Sequence, residues 1–331
     1  MDVAGALKQI AAVGTESAEG RAALAALPRT AACIQLLLDA TQNAWIADQR
    51  TPAGTLARDL ARRMVELVPD FADGYRLLGF AHLSRGEPRE AYLALSAMKA
   101  APNAGNFDNF RALARHLMTG LTPVSFDLGG QRYTFELTTH NAAAIEAGAF
   151  HSIGLLTEWE ELQFLGAHLG QPKRIAEVGV LVGNHTAYFL KAFAPTHVTL
   201  IDADPANVPF IRANVGHNLD PLAAPEVTLH TAFVGAKAAS DVPFAGVTVP
   251  QKPLRDLVQG PVDFLKIDVD GGELGLLEGA ASVIETYRPS IMIETTPATH
   301  DPVVAWFTAR RYTLLRVFDR GGYRNVVLTP T

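Results

Sequence analysis

The chain has 331 residues, 48% of them hydrophobic and 19% charged, with a formal net charge of −6. That length and apolar content exclude disorder and leave room for two cores, while the acidic balance, without any Lys/Arg-rich run, argues against nucleic acid or an anionic membrane as the main partner. Cys33 is the single cysteine, which excludes an intramolecular disulfide framework and a cysteine metal cluster.

The amino terminus shows no cationic start followed by an apolar run, and no stretch reaches the roughly 18 uninterrupted apolar residues of a spanning helix. The expectation is a cytoplasmic protein without a membrane span. Residues 1–120 carry Ala, Leu and Arg at helical spacing with almost no strand signal, so they predict an all-helical domain. Pro28, Pro52, Pro69, Pro88 and Pro102 mark places where helices stop or start. From Tyr75 to Pro102, Leu78-Gly79, Gly86, Ala91 and Leu95 stand at the offsets of a tetratricopeptide repeat, and the segment resembles one. Gly79 and Ala91 let two helices approach while Leu78, Leu83 and Leu95 fill their seam; His82 replaces the usual aromatic. Such a module suits a protein partner or self-association; a simple helical cap is the plainer alternative.

Residues 121–331 form the second expected domain. Alternation on both sides of Gly129-Gly130 predicts a β-hairpin. Residues 140–170 return to helical spacing, with Trp159, Leu162, Phe164 and Leu165 inward and Glu158, Glu160 and Glu161 outward. A helix here would lie over the mouth of a nucleotide site. The stretch RIAEVGVLVGNHTAYFLKAFAPTHVTLIDAD then reads as strand, glycine turn, amphipathic helix and strand, half of a nucleotide-binding unit. Its turn is GxxxG, which leaves no glycine placed to admit a pyrophosphate. Asp202 follows about 20 residues later, where a carboxylate can accept the two hydroxyls of an adenosine ribose. S-adenosylmethionine is a ligand of that kind, and a nicotinamide dehydrogenase is disfavoured.

Further on come a helix from Pro205, a strand at 227–232, a Gly/Ala/Pro-rich excursion at 234–253 and a buried strand at 262–267. A helix at 273–287, a strand at 290–294, a helix at 303–310 and two strands joined by the turn 319–322 complete the chain. The strands deliver Glu177 and Gly179, Asp202, Thr231 and Ala232, Asp268 and Asp270, and Glu294 to their carboxyl ends, where open parallel sheets bind ligands. Charged residues ending apolar strands are costly unless water or a ligand reaches them. Lys266, Asp268, Asp270 and Glu273 crowd one strand-to-helix turn, a cluster able to shift a carboxylate's pKa, hold a cation or orient a hydroxyl.

Taken together, EVGVLVGNHT, IDADP with the two asparagines of IRANVGHN, KIDVDGGELGLLEGA and RPSIMIE resemble the successive motifs of the FkbM family of S-adenosylmethionine-dependent methyltransferases. The resemblance spans residues 124–330 and implies an α/β class I methyltransferase fold, Rossmann-like, with a mostly parallel sheet and a closing antiparallel hairpin. It implies O-methylation of a sugar, glycan or secondary-metabolite hydroxyl. On the matching positions, Glu177, Gly179, Gly183, Asn184 and His185 would surround the methionine part of the cofactor, Asp202 the ribose, and Thr231 and Ala232 the adenine. Asp268 would face cofactor and substrate, with Asp270 and Glu273 following. Leu181 stands where the family often has asparagine, and Ala203 where proline usually follows the acid. Asp268 is the expected base or orienting group, His185 and His300 are the imidazole alternatives, and no metal is predicted. The rival reading is a non-catalytic interaction protein with a cofactor-binding fold.

Overall fold

The structure is a computed structural model describing residues 2–48, 55–98, 107–244, 247–269 and 271–331. Pro52 and Pro102, two expected helix stops, and the site candidate Asp270 lie outside the described residues. The chain forms two compact units, Met1–Val124 with Glu136–Leu155, and Ser125–Phe135 with Leu156–Thr331.

The first unit is helical: α1 (Val3–Val13), α2 (Ala18–Ala25), α3 (Ala31–Asp48), α4 (Leu56–Leu67), α5 (Ala72–Ser84), α6 (Pro88–Ala97), α7 (Asp108–Thr119) and α8 (Ala142–Ser152). From α3 onward each helix packs on the next, which buries apolar stripes that isolated helices would leave in water. In the α5–α6 hairpin a Cβ on Gly79 would lie 2.5 Å from Leu95 Cγ, and Ala91 is fully buried. Small residues therefore set the approach of these two helices. His82 is buried and places Nδ1 2.6 Å from Glu87 Oε2, a polar substitute for aromatic packing.

In the second unit, β1 (Val124–Leu128) and β2 (Gln131–Phe135) turn at Gly129 and Gly130, both at positive φ, the conformation a tight hairpin demands. The helical spacing over 140–170 resolves into α8 and a separate α9 (Trp159–His168), interrupted by Gly154 and Glu158 in the left-handed region. There follow β3 (Arg174–Val178), α10 (Asn184–Phe193), β4 (His197–Asp202), α11 (Val208–Asn218) and β5 (Glu226–Thr231). The excursion at 234–253 is not irregular: β6 (Phe233–Val234), β7 (Ala239–Phe244) and β8 (Val247–Lys252) make a small sheet in the order β6-β8-β7. Its strands are short and partly exposed, and Pro243 and Pro250 interrupt them, so the strand signal is weak. The chain ends with β9 (Phe264–Ile267), α12 (Glu273–Tyr287), β10 (Ser290–Thr295), α13 (His300–Thr308), β11 (Tyr312–Asp319) and β12 (Arg324–Pro330).

The main sheet runs β11-β12-β10-β9-β3-β4-β5. Only the pairings of β12 are antiparallel; the other neighbours are parallel. This is the class I methyltransferase arrangement with its closing hairpin. The chain proceeds outward from β3 to β5, then returns to place β9 on the other side of β3. That reversal opens a crevice at the carboxyl ends of β3 and β9. Both strands are almost wholly buried, and each large side chain buried there, Phe264 among them, contributes about 2–3 kcal/mol.

Two glycines of α12 test this packing. A Cβ on Gly279 would lie 2.4 Å from the Gly235 carbonyl carbon, rigid backbone that cannot step aside, whereas one on Gly275 meets nothing within 4 Å. Gly279→Ala is expected to destabilise the second unit by about 1–3 kcal/mol, and Gly275→Ala to leave stability unchanged or raise it by up to about 1 kcal/mol. Urea unfolding followed by circular dichroism distinguishes the two.

Candidate functional site

Between β3 and α10 the chain must reverse within five residues, Gly179 to Gly183. Gly179 and Gly183 have φ of 79° and 81°, and Leu181 shares the left-handed region at 57°. A Cβ on Gly179 would sit 1.7 Å from the Asp268 carbonyl oxygen; glycine is required because the ends of β3 and β9 touch there. The loop is held from two sides. Asp202 Oδ2 accepts the Val180 and Leu181 N–H groups at 3.0 and 2.8 Å, and Asn214 Nδ2 donates to the Val182 carbonyl at 2.8 Å. The other Asp202 oxygen accepts from Asp204 N and Asn207 Nδ2 at 2.8 and 2.9 Å. Burial pushes the Asp202 carboxyl pKa up, against the pull of these donated hydrogen bonds. Asn218 binds both backbone groups of Thr134, tying β2 to α11.

Charge gathers beneath the loop. Lys266 projects from the middle of β9 with 2% of its side chain exposed; its Nζ donates to the Gly179 carbonyl at 2.8 Å and to Asp268 Oδ2 at 3.0 Å, and lies 3.8 Å from Glu177 Oε1. Glu177 is fully buried. Thr186 donates to its Oε2 at 2.6 Å, whereas Oε1 has no hydrogen-bond donor among the described residues. Burial drives the Glu177 pKa up despite Lys266, while the Lys266 pKa is raised because Asp268, Glu177 and Glu158 outweigh its own burial. Asp268 retains 29% side-chain exposure, so it is the open face of the group.

A second arm comes from the segment before α9, where three neighbouring acids do not behave alike. Glu160 is exposed, but Glu161 is fully buried and receives Arg320 from the β11–β12 turn. Glu158 also turns inward: Oε2 lies 2.8 Å from His185 Nε2, and Oε1 accepts from Asn325 Nδ2 on β12 at 2.6 Å. The outward placement expected for Glu158 and Glu161 is thus corrected. Arg320 and Asn325 lie on the final hairpin, more than 150 residues away in the chain, and His185 lies on α10, all beyond the reach of local periodicity. His185 Nε2 and Glu158 Oε2 are within ion-pairing distance, although the ring N–H is not aimed at the carboxylate. Burial would raise the Glu158 pKa, but the adjacent His185, the Lys266 charge and the Asn325 bond prevail and hold it at about 2.

The structure therefore brings Glu177, Gly179, Asp268 and His185 together at the ends of β3 and β9 with Lys266, already marked by the charged strand-to-helix turn, and adds Thr186, Glu158 and Asn325 as members that spacing alone did not single out as site residues. Gly183 begins α10. Asn184 is occupied with Thr157, accepting its N–H at 3.1 Å and donating to its carbonyl at 3.2 Å. Thr231 pairs with Asp202 across β5 and β4, and Ala232 N donates to the Asp202 carbonyl at 3.1 Å. Glu273 is buried at the start of α12, with one oxygen on Gly271 N at 2.7 Å. Glu294 stands opposite Asn325 in the β10–β12 register. His300 lies apart from Asp268 in the bonds described, its Nδ1 3.1 Å from Thr295 Oγ1. Among the described residues, no cluster of three or more His, Cys, Asp or Glu side chains is arranged for a metal ion, and no helix is long and apolar enough to cross a membrane.

The family model of the methyltransferase FkbM domain matches residues 177–314. Among solved structures, a methyltransferase FkbM from Methylobacillus flagellatus KT aligns at 16% identity over 72% of this chain and 65% of its own, with a TM-score of 0.45. This chain thus spans just under two thirds of that protein. The precorrin-6y C5,15-methyltransferase from Geobacter metallireducens GS-15 aligns at 16% identity over 53% of this chain and 90% of its own, with a TM-score of 0.38. The putative methyltransferase yhhF from Escherichia coli aligns at 16% identity over 52% and 83%, with a TM-score of 0.36. No curated protein sequence matches the chain.

Lys266→Met removes the cation and leaves Glu177 buried without a counter-charge, so a loss of about 3–5 kcal/mol is expected, measured by thermal or urea unfolding. Glu158 supplies the acid-side test. A folded carboxyl pKa of about 2 against an ordinary 4.5 gives stability that is fully present above 4.5 and lost as pH falls toward 2. Melting temperature should fall through that window in the wild-type protein, with a smaller fall in Glu158→Gln.

Proposed function

We propose that the methyltransferase FkbM domain of this chain moves a methyl group from S-adenosylmethionine to a hydroxyl oxygen of a sugar, glycan or secondary metabolite. The observation carrying this reading is the grouping of Glu177, Lys266, Asp268 and His185 around a glycine loop at the sheet's switch point. The methionine end of the cofactor fits the residues present, because the buried Glu177 Oε1 lacks a donor and an ammonium would supply one. At the ribose end, Asp202 already accepts four hydrogen bonds from its own chain; a diol would exchange with the Asp204 and Asn207 donors at Oδ1. Thr231 and Ala232 are assigned to the adenine side, Gly179, Gly183 and Asn184 to the loop that shapes the pocket.

When bound, S-adenosylmethionine supplies a methyl carbon activated by a sulfonium charge. The chain's task is to align an oxygen behind that carbon and to take a proton. Asp268, half-open and held by Lys266, is assigned to orienting the acceptor hydroxyl. His185 is preferred to His300 as the imidazole because it adjoins the glycine loop, whereas His300 bonds Thr295. Glu273 and Glu294, and on sequence grounds alone Asp270, are the remaining acids assigned to the site in this reading. The helical unit is assigned to a protein partner or to self-association, and the free, buried Cys33 accords with a reducing cytoplasm.

Isothermal titration should show S-adenosylmethionine binding and no NAD binding; the reverse would sink the reading. Radiolabelled methyl transfer should then appear on at least one member of a panel of methyl glycosides and phenols, and binding without transfer would favour a non-catalytic protein. Asp202→Ala is expected to weaken cofactor binding at least tenfold by titration, since it removes both the loop's anchor and the ribose acceptor. Asp268→Asn should leave binding within about twofold while transfer falls ~10²-fold or more.

A further inference from the structure

Glu158 occupies the position before the first residue of α9 yet makes no capping hydrogen bond. An acid there ordinarily accepts one of the unpaired N–H groups of the first turn. It is also held at φ 55° without being glycine, an unfavourable conformation that persists only where surrounding contacts enforce it. Those contacts are the two its carboxylate makes, to His185 Nε2 at 2.8 Å and from Asn325 Nδ2 at 2.6 Å. The His185 and Glu158 side chains are 8% and 10% exposed. Charged groups facing this pair are Glu177, the buried partner of Thr186 on the same helix turn, and Lys266 with its partner Asp268. A carboxylate turned from its local helix to within 2.8 Å of an imidazole has the separation of a group that fixes a tautomer, and the Nε2–H, not aimed at it in the ligand-free protein, needs only a ring rotation to align.

We propose that Glu158 is a positioning residue for proton removal: it holds His185 with Nε2–H toward its own carboxylate and leaves Nδ1 to accept the acceptor's hydroxyl proton, while Asn325 holds Glu158. The inference rests on the methyl-transfer reading. The balance closes within it. The new carbon–oxygen bond forms as the carbon–sulfur bond breaks, and that bond's electron pair stays on sulfur. The hydroxyl proton passes to His185 Nδ1, Glu158 offsets the imidazolium charge, and the proton then leaves to water. Asp268 is less suited to take it, because its Oδ2 is bonded to a buried lysine.

The test compares wild-type protein with Glu158→Gln, Glu158→Asp and His185→Asn, each first checked for a cooperative melting transition above the assay temperature at pH 7.5 and for S-adenosylmethionine affinity within about threefold of wild type. Proton NMR of the wild-type protein with S-adenosylhomocysteine bound should show one far-downfield imidazole N–H resonance, absent in His185→Asn and lost or shifted strongly upfield in Glu158→Gln. With the best acceptor of the glycoside and phenol panel, Glu158→Gln should lower kcat at least tenfold with KM within about twofold, and Glu158→Asp should recover part of the loss. Absence of that resonance in the wild type, its persistence in Glu158→Gln, or an unchanged kcat in Glu158→Gln overturns the inference while leaving methyl transfer standing. No transfer by the wild-type protein to any panel member overturns the parent reading and this assignment with it.

Discussion

A lysine ammonium in the centre of the sheet governs this site. Lys266 lies on β9 with its charge almost wholly removed from water, which is tolerable only where anions and carbonyl oxygens replace the lost hydration. Glu177 on β3, Asp268 at the end of its own strand and the Gly179 carbonyl perform that replacement. The ends of two adjacent parallel strands are thereby locked together at the place where strand order reverses. Any ligand entering the crevice meets a fixed charge pattern rather than mobile side chains, which is how a polar site acts without reorganising.

The glycine loop is shaped by the same economy of backbone contacts. Gly179 can touch the Asp268 carbonyl only because it lacks a Cβ. Beyond it, Val180, Leu181 and Val182 offer backbone groups that the loop itself cannot satisfy, and Asp202 and Asn214 take them. Asp202 therefore has a structural task whatever else it does: it ties the β3–α10 loop to the end of β4. Asn214 and Asn218, one helical turn apart on α11, reach in opposite directions, one to this loop and one to the β1–β2 hairpin.

The closing hairpin contributes more than a strand order. Its turn sends Arg320 to Glu161, and β12 sends Asn325 to Glu158. With Asn184 clamping Thr157 from the start of α10, the segment entering α9 is gripped from both directions. Three acids within four residues become three different things: Glu160 stays solvated, Glu161 is buried in a charge pair, and Glu158 is drawn to an imidazole. A left-handed residue that is not glycine survives there because these bonds outweigh its backbone cost.

Much was legible in the amino-acid order because it depended on local rules. Period-two and period-3.6 apolar spacing marked most strands and helices of the sheet domain, Gly129-Gly130 marked the hairpin, and acids ending apolar strands marked where charge gathers at the strand ends. The small sheet β6-β8-β7 escaped because its strands are short, partly exposed and interrupted by Pro243 and Pro250. The break between α8 and α9 escaped because apolar spacing continues across it. The sequence by itself determined the order of elements, the glycine positions and the identity of the charged strand ends, since each follows from neighbours within one turn or one strand. Only the tertiary structure decided that Lys266 is buried against Glu177, that Asp202 serves the loop, and that Glu158 meets His185 and Asn325, because those contacts join residues about 20 to 170 positions apart and depend on packing that no local pattern encodes.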